Sequence, residues 1–230
     1  MSRPVPVSSS VRWPTSGWWL ALLPLIVLAH EGHELAHTLA GRLACGQWAQ
    51  RDFSSWSIVG CDSLWPMVAG PAFSYLLMLV GMFGLRRAPE RPGWPLALLV
   101  VANPLARLVT ALGGHGDEVR VGQALAAAGG TVAIALVVML TAAALHALWQ
   151  ATRGWRWRGG AFALLALAAI GTVGPGTMAG NRLLRAGWLA QPLAGAPLLI
   201  HAVTGAAVIM LLAVLAGRRL LPVPENTPTA

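Results

Sequence analysis

The chain has 230 residues, of which 56% are hydrophobic and only 10% charged, and it carries a net charge of +8. Soluble domains carry roughly a quarter charged residues, so an ordinary soluble globular domain is excluded. The absence of segments alternating apolar and polar residues excludes a membrane β-barrel as well.

Residues 1–16, with Pro4, Pro6, Pro14 and a serine run, read as a disordered cytoplasmic tail, and the Pro/Thr-rich residues 221–230 as another. Between them, apolar runs recur at 18–29, 64–85, 94–112, 131–148, 160–173 and 196–216. Crossing the hydrocarbon core takes about 20 mostly apolar residues, and most runs reach that with their small-residue flanks. The predicted fold class is therefore all-α: a polytopic transmembrane helical bundle of about six spans. The first run follows Arg3 and Arg12 and resembles a signal peptide. Cleavage near Ala29 would strip the next motif of its helix, so the run reads as an uncleaved first span. Residues 17–120 then form a core of three spans, and 121–220 add spans four to six. Trp18, Trp19, Trp94, Trp149 and Trp188 lie near span ends, where indole rings anchor at the membrane interface.

The positive charge invites a nucleic-acid partner, but its distribution argues for none. All sixteen basic residues are Arg, and they sit mostly in short loops between spans. With the N-terminus in the cytoplasm, ten fall inside: Arg3, Arg12, Arg86, Arg87, Arg91, Arg153, Arg156, Arg158, Arg218 and Arg219. Five fall outside (Arg42, Arg51, Arg120, Arg182 and Arg185), and Arg107 lies within span three. The asymmetry places both termini in the cytoplasm. Arg107 is costly there unless it pairs, with Glu31 or Asp62, or snorkels to the interface.

The first span ends in LAHEGHELAHTLAG, which contains the pattern H-E-x-x-H at His33, Glu34 and His37. On a helix, residues four apart lie within about 40° of each other. Two imidazoles so placed can bind one Zn²⁺, with Glu34 beside them as a base for water on the metal. A charged group at mid-membrane costs about 2.5–3.5 kcal/mol, so five polar groups in one span need a stronger reason than helix-to-helix hydrogen bonding. His30 reads as an extra ligand or proton relay, or more plainly as a hydrogen-bonded packing histidine. Glu31 reads as a partner behind the ligands or an interfacial group.

A catalytic zinc takes three protein ligands and keeps one position open. Span three runs parallel to span one, and its continuation GGHGDE delivers Asp117 and Glu118 near the depth of His37. Asp117 is favoured as the third ligand, with Glu118 and His115 as rivals and simple solvation of a loop as the plain alternative. Pro71 and Pro104 read as kinks in their spans. Cys45 and Cys61, in one extracytoplasmic loop, can form a disulfide or remain free thiols. His146 and His201, alone on apolar segments, read as packing residues.

The HELAH helix, AGPAFSY at 69–75 and NPLAR at 103–107 together resemble the site-2 protease family of intramembrane zinc metalloproteases. In that family an H-E-x-x-H helix and a later N-P-x-x-D-G helix supply the zinc ligands, and a G-P motif marks the span between. The resemblance covers residues 18–120 and implies zinc on His33 and His37 with Glu34 as general base. Arg107 stands where the second motif has its Asp, and Leu108 where it has its Gly. The Asn that usually follows the G-P motif is absent, with Ser74 nearby. Small divergent members carry their Asp in another local context, which GGHGDE suits. The resemblance also lets Asn103 polarise a substrate carbonyl. The family usually faces its zinc toward the cytoplasm, whereas the Arg count here faces it outward.

The resulting expectation is a zinc-dependent endopeptidase in a bacterial cell membrane, acting on membrane-protein substrate helices. A metal transporter using His30, His33 and His37, or a catalytically inactive scaffold, are the alternatives. Orientation is directly testable. Reporter fusions at Gly46 and Gly116 are expected to read extracytoplasmic and one at Gly159 cytoplasmic; the reverse pattern overturns the assignment.

Overall fold

The structure, a computed structural model, describes residues 15–89 and 92–220, with side chains except at 126–128 and 218–220. The expected tails, apart from Thr15 and Ser16, lie outside the described residues, as do Glu90, Arg91 and Glu225. The fold is an α-helical bundle with almost no sheet. In chain order it runs α1 (Ser16–Cys45), β1 (Gln50–Arg51), β2 (Trp56–Ser57), α2 (Trp65–Arg87), α3 (Gly93–Val101), α4 (Pro104–Leu112), α5 (Asp117–Ala124), α6 (Ala126–Ala151), α7 (Arg158–Arg185), β3 (Pro192–Leu193), β4 (Ala196–Pro197) and α8 (Leu198–Leu220).

Five helical segments are long and apolar enough to cross a membrane: Trp65–Arg87, Gly93–Leu112, Gly129–Ala151, Arg158–Arg185 and Leu198–Gly217. The first expected span, within α1, is not among them, because its histidines and glutamates dilute the apolar run. Its 30 residues nonetheless extend about 45 Å at 1.5 Å per residue. One face of α1 packs against α2, α3, α7 and α8. Trp18, Leu22 and Ile26 of α1 join Met78, Leu96, Leu99, Leu148 and Leu165 in the main core. Outward-facing positions are large and apolar, among them Leu20, Phe83, Val132, Ile209 and Leu212. In water such a surface would drive aggregation; against lipid tails it carries no such penalty. Only 11% of the α8 span is buried, against 50% of the α3–α4 span, so α8 is the most lipid-exposed segment.

The third span is broken rather than kinked. Asn103 takes a left-handed conformation (φ 56°, ψ 52°) between α3 and α4, and Pro104 opens α4. Asn tolerates that region better than most residues, and proline at a helix start loses no hydrogen bond. The fifth span is longer than its apolar run, since α7 continues to Arg185 through Pro175.

Residues 46–64 form a cap over one end of α1. Gly46, left-handed at φ 72°, ends α1 by donating its N–H to the Arg42 carbonyl. The β1–β2 hairpin follows, its turn fixed by Asp52 Oδ1 accepting the N–H groups of Ser54 and Ser55. Burial alone would raise the Asp52 carboxyl, but those two N–H groups hold it below the usual carboxylate range. Cys45 and Cys61 form a disulfide across the base of this loop, with Cα atoms 5.8 Å apart. The Arg51 N–H reaches the Gly195 carbonyl in the β3–β4 turn, and the Phe53 N–H reaches Asn181 on α7. Phe53 lies so close to Gly180 of α7 that any side chain there would meet its ring at 2.5 Å.

The disulfide makes the cap testable. The 16-residue separation of its cysteines corresponds to about 3 kcal/mol of loop-closure stabilisation. Replacing Cys45 and Cys61 together by Ser is expected to lower unfolding stability in nanodiscs by about that amount. An unchanged denaturation midpoint would mean that packing alone holds the cap.

Candidate metal centre

His33 and His37 sit one turn apart on the buried face of α1, with their side chains 4% and 0% exposed. Their Nε2 atoms lie 3.1 Å apart. Asp117 Oδ2, at the start of α5, lies 3.1 Å from His33 Nε2 and 3.4 Å from His37 Nε2. The three side chains thus place one ligand atom each within 4.8 Å of the others, a group that could hold a metal ion. The His37 ring is fixed from both sides. Its Nδ1–H donates to the Pro66 carbonyl at 2.5 Å, and the Trp56 indole stacks on it at 4.6 Å and 20°. That donation commits the proton to Nδ1 and leaves the Nε2 lone pair facing the cluster, as metal-binding histidines require. His33 Nδ1 lies 3.1 Å from Ser74 Oγ.

These contacts bear on whether a cation fits. Two imidazole nitrogens and a carboxylate oxygen point acceptors at one another at hydrogen-bond distance, in a site with little water. A cation among those lone pairs would satisfy them. Asp117 and Glu118 lie beside the Arg107 guanidinium, and Arg120 lies 4.0 Å from the other oxygen of Asp117. Two imidazoles and one carboxylate form a donor set suited to zinc.

The backbone explains why these residues meet. Gly70 of α2 faces the His37 imidazole so closely that a Cβ would overlap the ring, which gives the G-P motif a packing role. Gly32 of α1 similarly admits Phe73, since a Cβ there would lie 2.7 Å from the ring. After α4, Gly114 and Gly116 take positive φ values of 74° and 89° and turn the chain back, so that α5 begins at the site. Trp56 Nε1 donates to Asp117 Oδ1 at 3.4 Å.

The other expected residues have separate places. His30 Nε2 bonds the Phe53 carbonyl at 2.9 Å, so it ties α1 to the cap and is not in the cluster. Glu31 pairs with Arg51 of the cap at 2.9 Å, both side chains buried. Glu118 is buried but holds Arg107 at 3.2 Å and Tyr75 at 3.1 Å instead of joining the ligands. His115 is exposed in the preceding turn. Asn103 makes the α3–α4 break, and among the described residues its side chain makes no hydrogen bond to the cluster. His146 and His201, expected in packing, are exposed and bond Gln150 and the Leu193 carbonyl. Arg107 pairs with neither Glu31 nor Asp62: it lies against Glu118 and Asp117, within the site.

Glu34 is 6% exposed, and its Oε2 is buried without a hydrogen-bond partner. Sequence reasoning missed Trp56, Arg51 and Tyr75. The one signal for the first two was position: a Trp and an Arg in a short loop bracketed by two cysteines. No family model, no curated protein and no solved structure matches this chain.

Metal binding provides the check. His33→Ala and His37→Ala are each expected to abolish retention of a divalent ion by the purified protein, Asp117→Ala to weaken it sharply, and Glu118→Ala much less. Gly70→Ala changes none of the cluster's side chains but pushes the His37 ring aside, so it too is expected to lose metal. Full metal content in Gly70→Ala, read by elemental analysis, would show that α2 does not position His37.

Proposed function

We propose that this protein is a zinc-dependent intramembrane endopeptidase that cleaves transmembrane or membrane-proximal peptide segments. The observation that carries the reading is the pairing of a three-ligand cluster with an unpartnered buried carboxylate oxygen, Glu34 Oε2, on the residue next to a ligand. A buried carboxylate oxygen is costly to leave unsatisfied, so a partner that arrives with substrate would offset that cost. His33, His37 and Asp117 would hold the ion, and three ligands leave a position open to water. Zinc bound there would supply Lewis acidity and bring its water's pKa near 7.

Within that setting Glu34 moves the proton. As the water oxygen bonds to the peptide carbon, the carbonyl electron pair moves onto its oxygen and Glu34 takes the water proton. Glu34 then gives that proton to the amide nitrogen as the C–N bond breaks, leaving a new carboxyl terminus and a new amine. The His37 Nδ1–Pro66 bond and the Trp56 stack keep the ligand ring from turning during this exchange. The low exposure of the cluster excludes bulk water, so a substrate helix must unwind locally to bring its backbone to the site.

The Cys45–Cys61 disulfide favours an extracytoplasmic cap, because disulfides persist in oxidising compartments. That agrees with the outward orientation read from the Arg distribution. The protein would lie in a bacterial cell membrane, with the lipid bilayer and a substrate helix as its partners.

Glu34→Gln keeps the shape and removes the base. Metal content is expected to stay at the wild-type level while cleavage of a panel of Gly- or Pro-containing single-span helices falls by about 10²–10⁴-fold. If the wild type cuts none of the panel yet carries Zn²⁺ across liposomes in a His30-dependent way, transport replaces proteolysis.

A further inference from the structure

We infer that Arg107 is a catalytic residue: its guanidinium binds the negative oxygen that develops on the substrate carbonyl. The inference rests on the peptidase reading and adds a group that the ligands and Glu34 do not supply.

Arg107 stands on the wall of the cluster. Its Nη2 lies 2.8 Å from His33 Nδ1 and 3.0 Å from His33 Nε2. A nitrogen that near to both ring nitrogens lies over the imidazole face, not along either lone pair. The in-plane Nε2 lone pair therefore stays directed at the ligand cluster. Nη1 lies 3.6 Å from Asp117 Oδ2, and Nη2 lies 3.4 Å from Ser74 Oγ. Its side chain keeps 17% of its surface exposed.

The protein holds this cation in place at some cost. Glu118, its side chain only 1% exposed, accepts from Arg107 Nη1 at 3.2 Å and from the Tyr75 hydroxyl at 3.1 Å. Tyr75 is on α2, Arg107 on α4 and Glu118 on α5, so three elements converge to fix one guanidinium. Buried ion pairs contribute little net stability and are often replaced by apolar residues without loss. A cation beside a divalent metal site also opposes metal binding. Pairing with Glu118 engages Nη1 and leaves Nη2 against His33 and Ser74.

When Glu34 takes the water proton, a negative charge leaves Glu34 and appears on the carbonyl oxygen as the new C–O bond forms. A donor fixed beforehand near that oxygen lowers the barrier, because no reorganisation is needed as the charge moves. Arg107 is the cationic donor on the cluster's wall: Arg51 is bound to Glu31, and the exposed Arg120 guanidinium lies 4.0 Å from the far oxygen of Asp117. The planar guanidinium keeps Nη1 on Glu118 and holds Nη2 at the cluster's wall, beside which the oxyanion would form.

The test uses the zinc-loaded full chain in nanodiscs and a doubly blocked Leu–Leu phosphinate, whose PO₂⁻ group mimics the tetrahedral adduct. Calorimetry is expected to show binding to the wild type, weaker by about 10²–10³-fold in Arg107→Gln at unchanged zinc content. Arg107→Lys, which keeps the charge but not the fork, is expected to fall between them, and to lose kcat more than KM with any helix the wild type cuts. Three results overturn the inference: no phosphinate binding by the wild type, Arg107→Gln binding within threefold of wild type, or zinc loss in both variants, which would make Arg107 a prop for the ligands. If only Arg107→Gln loses zinc, the Lys variant decides: binding within threefold of wild type overturns the inference, and weaker binding upholds it. Arg107-dependent phosphinate binding by a wild type that cuts no helix would leave the anion site standing and overturn the peptidase reading alone.

Discussion

Three acceptor atoms, two imidazole nitrogens and a carboxylate oxygen, converge at 3.1–3.4 Å inside an apolar bundle. Left alone they repel, and in a low-dielectric site that repulsion is large. The remainder of the core is arranged to force and fix that convergence. α1 packs its polar face into the bundle because that face cannot be turned to lipid. α2 supplies Gly70 so that the His37 ring can approach, and the Pro66 carbonyl to hold its proton on the far nitrogen. The glycine turn after α4 brings Asp117 back to meet the histidines.

The cap completes the site from outside the membrane core. It is short and contains little regular structure, yet it contributes the Trp56 stack, the Arg51–Glu31 pair and the Phe53 contacts to His30 and α7. Its disulfide removes chain freedom at the loop base, so these contacts form with less entropy to overcome. Of the five polar groups that begin at His30, His33 and His37 join Asp117 in the cluster, and His30 and Glu31 fasten the cap.

Charge balance links the site to the bundle. Glu31 is neutralised by Arg51, 20 residues on, and Glu118 by Arg107, 11 residues before it. Asp117 lies near Arg107 and Arg120 as well as the two histidines. Burying this many ionisable groups is tolerable only because each has a partner or faces the cluster. Spans four to six, by contrast, are almost purely apolar; α7 and α8 pack against α1, and α6 against α4 and α5.

Much of this was legible in the sequence, and the reason is periodicity. Long apolar runs dictate membrane helices because backbone groups in lipid must bond within their own segment, and a spacing of four places His33 and His37 on one helical face whatever surrounds them. Local signals of that kind do not depend on the rest of the fold. The third ligand lay at the edge of what pattern could reach: Asp117 followed from span direction and depth, while its separation from Glu118 needed the actual turn at Gly114 and Gly116. The places of Arg107, Trp56, Arg51 and Tyr75 were beyond sequence. Arg107 occupies the position where the resembling motif has an Asp, and no local rule says whether such a guanidinium snorkels, pairs with Glu31 or Asp62, or enters the site. Its partner was chosen by which helices pack together, since electrostatic pairing depends on distance through space and burial. Sequence determined the helices and the face that binds; only the tertiary structure decided which charges from distant segments meet there.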